Sequence, residues 1–506
     1  MFRRILIIAL SLVLLGGGFV FYWIQDANRF KSELENLIED QTGVPVKING
    51  DLAWRLWPPL SLTATSIAAE HEGQRWFAER LTLDIDVMTI IRTRDVNRWR
   101  IQALTMNGVT MADDSGQLDM TVLRVRDFAV GTPAPVNASL IYTPMDAEPI
   151  PLEFAALVTY RPDPELISIV EANFSTPMAA GVCNIEVTPA TGGAPAPVAG
   201  ADDLIPVDVW RGYDWQGRCD LEHLTGADQR FEGATVALAN SGGAGEYVLR
   251  IPEFFGGSAT LSLGIDASGE PIRWTLTPDL QGVDSQRLMT WLDQRLQWIA
   301  PLTYAGTLAF EGNTTNELIA SVSGETSFDG GQGAISITKI KQPLLAVATL
   351  LGEPGKISGW PDVWGYERFV GSWRVDQQHH NLDFSLDNLT VLADGDYDAV
   401  HDELDILAVL TFQTLPEGRM FDVNPLLMDL PIPVRCRGAL DDPKCRVDDE
   451  AARRLVASML TSPEGSAMRD KLDAKIEEKV PEEYRDAARG LLDLLGDALQ
   501  RNAQED

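Results

Sequence analysis

The four cysteines are the residues whose number and spacing point most directly to a chemistry. They form two loose pairs, Cys183 with Cys219 and Cys436 with Cys445. An even number of cysteines is typical of disulfide bonds in an oxidising space such as a periplasm. A zinc site is the competing interpretation, but the sequence contains no CxxC motif to support it. The sequence therefore predicts one disulfide bond within each pair.

The histidines offer the next candidate chemistry, and three of the five lie near one another: His379, His380 and His401. Adjacent residues of a strand point to opposite faces, so His379 and His380 are not expected to bind one metal ion. The chain contains no P-loop, dinucleotide-binding fingerprint, GxSxG or HExxH motif. We therefore expect no catalytic residue, metal site or cofactor, and a protein that is not an enzyme. An enzyme on a β-scaffold is retained as an alternative, with these histidines as its site.

Composition limits the possible partners. The 506 residues are 45% hydrophobic, which is enough to bury a large core. A formal net charge of −33 argues against nucleic acid, because a phosphate backbone would be repelled. The same charge indicates a solvated acidic surface rather than a polybasic patch for anionic lipid head groups.

One long apolar run precedes all of these residues. Ile5 to Ile24 contains no charged residue, and roughly 20 helical residues match the hydrocarbon core of a bilayer. A cleaved signal peptide is the alternative, with a cleavage site near Gly16–Gly18. Such a cut would leave the apolar sequence FVFYWI exposed, so an uncleaved signal anchor at 1–24 is favoured. The short N-terminal tail is expected in the cytoplasm and the long remainder outside it.

The elements after the anchor change from helical to strand periodicity. An amphipathic helix is predicted at 25–43, where Phe30, Leu34 and Ile38 share one face. Alternating apolar and polar residues then predict short, one-sided strands that form a mainly β, antiparallel body. The clearest apolar faces are those of Leu81, Leu83, Ile85 and Val87, of Leu261 and Leu263, of Ile335 and Ile337, and of Leu382, Phe384 and Leu386.

A few helices are expected to interrupt the strands. Leu288 to Ile299 is predicted to be helical, with Asp284 or Ser285 as its cap and Pro301 as its end. A second helix is predicted to begin at Pro343, and Thr314-Thr315 is interpreted as a turn. After Cys445 the apolar spacing predicts a helical tail over 449–506. Periodicity leaves open whether the strands form closed sandwiches or one curved sheet with an apolar trough.

Two blocks of the sequence resemble a known family. Thr42 to His71, which includes TGVPVKINGDLAWRLWPPL, and Arg80 to Met111 closely resemble the opening of the AsmA family of bacterial inner-membrane-anchored proteins. Tyr304 to Ile337 and Leu430 to Asp448 are similar to that family's C-terminal region. The resemblance covers roughly half of the chain and implies an elongated, curved antiparallel β-groove (β-taco-like), related to chorein-type bridge-like lipid transfer proteins. It divides the body into β regions at 44–270 and 271–448.

The resemblance also implies a location and a role. It implies a single-pass inner-membrane protein with a cytoplasmic N-terminus and a periplasmic body. The apolar residues of the strands above would line a groove that binds phospholipid acyl chains. The implied function is phospholipid transport and homeostasis between inner and outer membranes, in support of outer-membrane biogenesis, with a possible outer-membrane or periplasmic protein partner. The alternative is an assembly factor that carries no lipid and regulates outer-membrane protein targeting or insertion.

Overall fold

The fold is seen in a computed structural model. The structure describes residues 27–42, 44–55, 60–71, 74–86, 100–112, 116–144, 148–190, 203–350, 355–414, 418–423, 428–429, 431–440 and 443–447. The expected anchor (1–24), Val87 and the expected helical tail (449–506) lie outside these residues. None of the helices within these ranges is long and apolar enough to cross a membrane.

The described chain begins with helical residues that pack on the first strands. A 3₁₀ helix, Ala27–Phe30, leads into α1, Lys31–Thr42, within the segment where a helix is expected. Ala27 is buried in a small cluster with Ile48, Leu52 and Ala64, and Leu34 of α1 packs against it. The helix therefore covers the apolar side of the first strands.

The described residues fall into two compact units, which contain mainly antiparallel strands. Unit 1 comprises those in Met1–Glu253 and Ser262–Arg273, and unit 2 comprises those in Phe254–Leu261 and Trp274–Asp506. The strands that begin in unit 1 before residue 254 are β1 (Val46–Ile48), β2 (Leu52–Arg55), β3 (Leu60–His71), β4 (Gln74–Ile85), β5 (Arg100–Ala112), β6 (Gly116–Ala129), β7 (Ala134–Pro144), β8 (Ile150–Pro162), β9 (Glu165–Ser175), β10 (Ala179–Pro189), β11 (Tyr213–Gly226), β12 (Gln229–Glu232), β13 (Thr235–Ser241) and β14 (Ala244–Phe254), with helix α2 (Val207–Gly212) before β11. Strands β15 (Gly257–Asp266) and β16 (Arg273–Asp284) each contain residues of both units.

Unit 1 is a continuous antiparallel sheet. β1 and β2 both pair with β3, and each strand from β3 to β11 pairs with the next. β13 then pairs with β11 and β14 with β13, while the short β12 pairs with the end of β11. The prediction of a mainly β, antiparallel fold is therefore confirmed.

Irregular positions keep the apolar side chains of unit 1 on one face. Ser66 and Gly108 have positive φ angles of 52° and 59° and form no ladder pair. On β3 the inward residues change at this point from a spacing of two to a spacing of three, and Ala64 is followed by Ile67, which packs with the same cluster. A strand read only by its two-residue period would place Ile67 on the wrong face.

In the part of unit 2 that the structure describes, a larger sheet and a smaller sheet are combined with four helices. Its elements from residue 285 onward are α3 (Ser285–Trp291), β17 (Trp298–Ile299), β18 (Pro301–Glu311), α4 (Thr315–Ser321), β19 (Ser323–Asp329), β20 (Gly333–Ser336), α5 (Thr338–Leu350), α6 (Gly355–Ser358), β21 (Val363–Tyr366), β22 (Phe369–Asp376), β23 (His379–Leu386), β24 (Leu389–Asp398), β25 (Glu403–Phe412), β26 (Ile432–Gly438) and β27 (Lys444–Val447). The larger sheet has the order β18–β19–β22–β23–β24–β25–β26–β27, and the smaller has the order β17–β20–β21.

The helices of unit 2 differ from the predicted ones. The Asp284 side chain caps α3 as expected, but α3 ends at Trp291, and the prediction of helix up to Ile299 is wrong. The reason is tertiary, because Trp298 is buried and pairs with β20 as part of β17. Helix α5 begins five residues before Pro343, and α4 follows Thr314 where a turn was predicted.

Candidate functional site

Unit 1 carries a continuous band of apolar side chains across seven strands, called here the apolar face. Directly paired residues form two neighbouring rows on this face. The first row is Leu62, Leu83, Leu104, Val125, Val136 and Ala156, and the second is Ala64, Leu81, Met106, Leu123, Ala138, Phe154 and Phe174. The alanines are buried, whereas the larger side chains remain half-buried. The rows therefore offer apolar surface that the protein itself covers only in part.

The opposite face of the same strands is polar. The row displaced by one residue from the apolar face consists of Thr63, Thr82, Thr105, Arg124, Asn137, Ala155 and Asn173. Polar pairs cross this face, including Ser139 with Glu153 at 2.7 Å. This contrast between faces is the amphipathic alternation that predicts a half-buried sheet.

The predicted groove residues of the N-terminal half lie in different places. Leu81 and Leu83 belong to the two rows, and Ile85 pairs with Ile101 at one end of the apolar face. Leu261 and Leu263 are half-buried on β15. The structure therefore brings the first three residues to one surface.

Unit 2 contains a cavity of about 710 Å³, called here the pocket. Its main wall is one face of the larger sheet, from Trp373 on β22 to Cys445 on β27. The wall residues are His380, Leu382 and Phe384 on β23, Val391, Ala393 and Tyr397 on β24, Leu404, Ile406, Ala408 and Leu410 on β25, and Val434 and Cys436 on β26. Ile319 of α4 and Ile340 of α5 complete the lining from the helices. The lining is apolar over most of its extent.

Small residues create the empty volume at the centre of this wall. Ala393 pairs directly with Ala408, and the larger side chains of Leu382 and Val434 flank them on the same row. Gly395 is two residues further along β24 and pairs with His380 and Ile406, which also line the pocket. A Cβ atom at Gly395 would come within 2.3 Å of the Asp405 carbonyl oxygen, so glycine is required there. A row with large side chains at these positions would fill the cavity.

An aromatic core closes the pocket at one end, called here the floor. Leu386, Leu389 and Phe412 continue the wall strands and are 1%, 0% and 0% exposed. The ring of Phe412 lies 6.0 Å from that of Trp360 and from that of Phe421. Buried aromatic side chains packed at these distances fix the end of the cavity.

Phe384 connects the floor to the rest of the core. Its ring lies 5.6 Å from that of Phe369. Gly371 makes room for it, because a Cβ atom there would lie 2.6 Å from the Phe384 Cβ and 2.7 Å from Phe328. Any larger residue at position 371 would therefore displace the Phe384 side chain.

The opposite end of the pocket is its mouth, formed by the β22–β23 and β24–β25 turns. Gln377, Gln378, Ala399 and Val400 lie there, and Val400 is 60% exposed. Lys339 and Asp398 also line the cavity. Polar and exposed residues are thus concentrated at one end and apolar residues at the other.

His380 is the most deeply placed titratable side chain of the pocket wall, and it is already hydrogen-bonded. Its Nδ1 accepts a hydrogen bond from Trp373 Nε1 at 3.1 Å, and the two rings are parallel within 3°. Burial lowers the pKa of His380, with a further contribution from the charge of His379. The ring is therefore neutral at neutral pH and suits an apolar cavity.

The three neighbouring histidines do not form one site. His379 lies on the outer face of β23, 3.0 Å from Asp396 and 3.1 Å from Asp394, and the hydrogen bond with Asp396 raises its pKa. His401 lies in the β24–β25 turn and contacts Asp398 at 2.7 Å. The expectation that His379 and His380 point to opposite faces is confirmed. Within the described ranges, no group of three or more potential ligands is placed to hold a metal ion.

The outer face of the pocket wall is charged. Asp405 accepts hydrogen bonds from Arg435 at 2.6 and 2.9 Å and from Arg437 at 3.1 Å. These bonds, chiefly those from Arg435, lower the pKa of Asp405 to about 2. The wall is therefore a two-sided sheet with apolar residues inside and ion pairs outside.

Both predicted disulfide bonds form. Cys183 and Cys219 are directly paired across β10 and β11, and Cys436 and Cys445 are directly paired across β26 and β27. The second bond also lines the pocket. It fastens β27, the last described strand, to the pocket wall.

The two-residue strand period predicts part of the pocket lining. Leu382 and Phe384 line it, and Leu386 forms its floor. Ile335 and Ile337 do not line the pocket. Ile335 belongs to the smaller sheet and Ile337 follows it, and their side chains are only 8% and 1% exposed. The small residues at the centre of the wall carry no apolar periodicity and were not identified.

Comparisons with known proteins provide no relative for this chain. No family model, no curated protein and no solved structure matches it.

Proposed function

We propose that this protein is an inner-membrane-anchored periplasmic protein that binds phospholipid acyl chains on an apolar β-surface. In this proposal it supports phospholipid transport between the inner and outer membranes, and it is not an enzyme. The observation that carries the proposal is the apolar face of unit 1, whose large side chains are half-buried over seven paired strands. The resemblance to the AsmA family and the apolar run at 1–24 support the proposed location.

The physical reason is the cost of exposing acyl chains to water. Transfer into water costs about 0.8 kcal/mol per CH₂ group, so a 16-carbon chain costs about 12 kcal/mol. Contact with the leucine, valine, methionine and phenylalanine side chains of the apolar face would remove much of this cost. The half-buried side chains would gain as well, because the lipid would cover the surface that they expose.

The polarity of the sheet supports the same proposal. In the trough proposed here, the apolar face lines the inside, and the row that contains Thr105 and Arg124 faces water. Head groups would remain in solvent along the open side. A passive surface of this kind would need a partner or a concentration gradient to set the direction of transport.

Mass spectrometry of the full-length protein after gentle extraction tests the proposal. We expect copurifying phospholipid, and we expect M106E to lose most of it because Met106 lies in the middle of the apolar face. T105E is the matched control, since Thr105 is the next residue of β5 and belongs to the polar row. Absence of lipid from the unmodified protein, or equal lipid in both variants, would contradict the proposal.

The rival function is an assembly factor for outer-membrane proteins that carries no lipid. It predicts that M106E leaves outer-membrane assembly intact as long as the protein folds. Lipid transport predicts an envelope defect in M106E and none in T105E. The two functions are therefore separated by the same pair of variants in cells.

A further inference from the structure

We propose that the pocket of unit 2 is a separate binding site for one linear acyl chain, which enters tail first and leaves its head group in water at the mouth. This site goes beyond the function proposed above, because the apolar face of unit 1 takes no part in it. The pocket would bind a fixed number of chains rather than pass chains along a surface.

The dimensions and the closed end define the shape of the ligand. The volume of about 710 Å³ lies within the range of small-molecule pockets, roughly 300–1,000 Å³. Gln378 at the mouth and Phe384 near the floor are six residues apart on adjoining parts of one strand, which corresponds to about 20 Å. The floor of Leu386, Leu389 and Phe412 is fully buried, so a ligand cannot pass through it. A cavity of this volume that is closed at one end by packed side chains fits a single chain.

The chemistry of the lining explains why the tail is recognised. Two polar rings of the wall are half-buried and already have partners, because His380 accepts a hydrogen bond from Trp373 and Tyr397 donates one to Asp402. Asp398 accepts hydrogen bonds from the backbone N–H groups of Val400 and His401 and contacts the His401 ring. None of the lining residues, all of which are described, has a buried side-chain polar atom without a hydrogen-bond partner. A head group placed inside would lose its hydration and gain no partner.

The position of the polar residues then sets the direction of entry. Gln377 and Gln378 lie at the mouth, and Val391 and Leu410, which are paired on neighbouring strands, lie near the floor. A tail pointing to the floor would contact apolar atoms throughout its buried length. A head group at the mouth would keep its contact with water.

The first test measures chain-length dependence in the full-length M106E variant held in an amphipol, so that acyl-chain binding by the apolar face of unit 1 does not contribute. Saturated fatty acids from 8 to 18 carbons would displace a fluorescent single-chain fatty acid. We expect the affinity to rise by up to about fourfold per CH₂ group and then to stop rising once the methyl end reaches the floor. Affinity that increases without a limit across the series would overturn the proposal of a blind pocket.

The second test uses head groups to identify the source of the chain. A fatty acid, its methyl ester and a lysophospholipid with the same chain should bind within about threefold of one another if only the tail is recognised. A preference of more than tenfold for one head group would overturn tail-only recognition. The fluorescent fatty acid should saturate at one molecule per chain in the pocket.

The third test fills the pocket. In the M106E background, where the apolar face of unit 1 no longer contributes, A393W places a large ring where Ala393 faces Ala408 and should reduce fatty-acid affinity at least tenfold. L392W is the matched control, because Leu392 is the preceding residue, points to the outer face and is 51% exposed. A408V is a smaller change in the same wall and provides the test if A393W does not fold. It should lower the number of carbon atoms at which fatty-acid affinity is greatest. Unchanged binding in both folded pocket variants would refute the site.

The results separate this proposal from the proposed function. If lipid copurification depends on Met106 but A393W binds fatty acid normally, the function stands and the pocket proposal fails. If fatty acid binds in the pocket but no phospholipid copurifies, the pocket proposal stands and the function fails.

Discussion

Unit 1 and unit 2 place apolar side chains on one face of an antiparallel sheet by the same alternation, yet the results differ. On the apolar face of unit 1, neighbouring strands contribute large residues, such as Leu81 and Leu83 of β4 and Leu104 and Met106 of β5, which remain half-buried. In unit 2, small residues at the centre of the wall and an aromatic core at its end produce a blind cavity. The same strand pattern therefore yields an extended surface in one unit and a concave, half-open site in the other.

The difference shows that alternation determines which face is apolar but not how that face is used. In unit 2, α4 and α5 supply part of the lining, and Trp360, Trp364 and Phe421 pack as a cluster beside the floor. Enclosure depends on residues distant in sequence from the wall. We expect the two surfaces to differ in stability, in their response to lost disulfides and in their response to acid.

The largest expected difference concerns one phenylalanine from each unit. Phe412 is 0% exposed, whereas Phe154 is half-buried on the apolar face. F412A should lower the free energy of unfolding by about 3–5 kcal/mol, because it leaves a cavity in a packed core. F154A should cost about 1 kcal/mol, since that ring is already partly exposed to solvent. Urea denaturation of both full-length variants measures these losses.

Equal losses would break the comparison. They would mean that the apolar face of unit 1 is packed as tightly as the core of unit 2. Fatty-acid binding provides a second measure, because F412A opens the floor and should allow longer chains to bind, whereas F154A should leave the pocket unchanged.

The two disulfide bonds give the next largest effects. Cys183 and Cys219 are 36 residues apart in sequence, and Cys436 and Cys445 are 9 apart. A disulfide bond lowers the conformational entropy of the unfolded chain, and the effect grows with the length of the closed loop. Removal should therefore lower the free energy of unfolding by about 4 kcal/mol for the Cys183–Cys219 bond and by about 2.5 kcal/mol for the Cys436–Cys445 bond. Paired serine variants unfolded in urea, each compared with the oxidised parent protein in which both bonds are formed, test the order of these costs.

Fatty-acid binding should depend on the two disulfide bonds in the opposite order. The Cys436–Cys445 bond fastens β27 to the pocket wall, so its serine variant should weaken fatty-acid binding. The Cys183–Cys219 bond lies in unit 1, so its serine variant should bind fatty acid normally despite the larger loss of stability. A loss of fatty-acid binding in the Cys183–Cys219 serine variant alone would contradict the assignment of the pocket to unit 2.

The sequence predicted the strand faces better than the enclosure. Leu382, Phe384 and Leu386 were assigned to one apolar face by their period, and that face is the pocket wall and floor. Ala393 and Ala408 were not predicted, because their importance comes from the pairing of β24 with β25. Which strands pair, and with what register, is decided by contacts between distant residues and is not visible in a two-residue period.

The two helices that were predicted wrongly differ in cause: one had a local sequence signal, and the other was decided by tertiary contacts. Helix α4 carried a local signal, since Thr314 and Glu317 have the capping-box spacing and form both of its hydrogen bonds. The early end of α3 carried no such signal, because it follows from burial of Trp298 and its hydrogen bond to Tyr366 at 2.7 Å. The Ser66 irregularity in unit 1 likewise depends on the neighbouring strands.

The smallest expected effect is the acid response of one ion pair from each unit. Arg435 and Arg437 lower the pKa of Asp405 to about 2, below its value of 3.8 in an unfolded chain. The ionised carboxylate therefore adds stability above about pH 4, and this contribution disappears as the pH falls toward 2. Because Asp405 is 43% exposed, the contribution should be below about 1 kcal/mol.

D405N tests this contribution through the pH dependence of unfolding. The parent protein should be slightly more stable than D405N above pH 4, and the gap should close between pH 4 and 2, because the parent carboxylate becomes protonated there. D220N in unit 1 is the control, since the Arg218–Asp220 pair joins residues of one strand whose side chains are 63% and 64% exposed. Such an exposed pair should contribute little at any pH. A gap for D405N that is constant from pH 6 to 2 would show that the lost stability comes from packing of the side chain rather than from its charge.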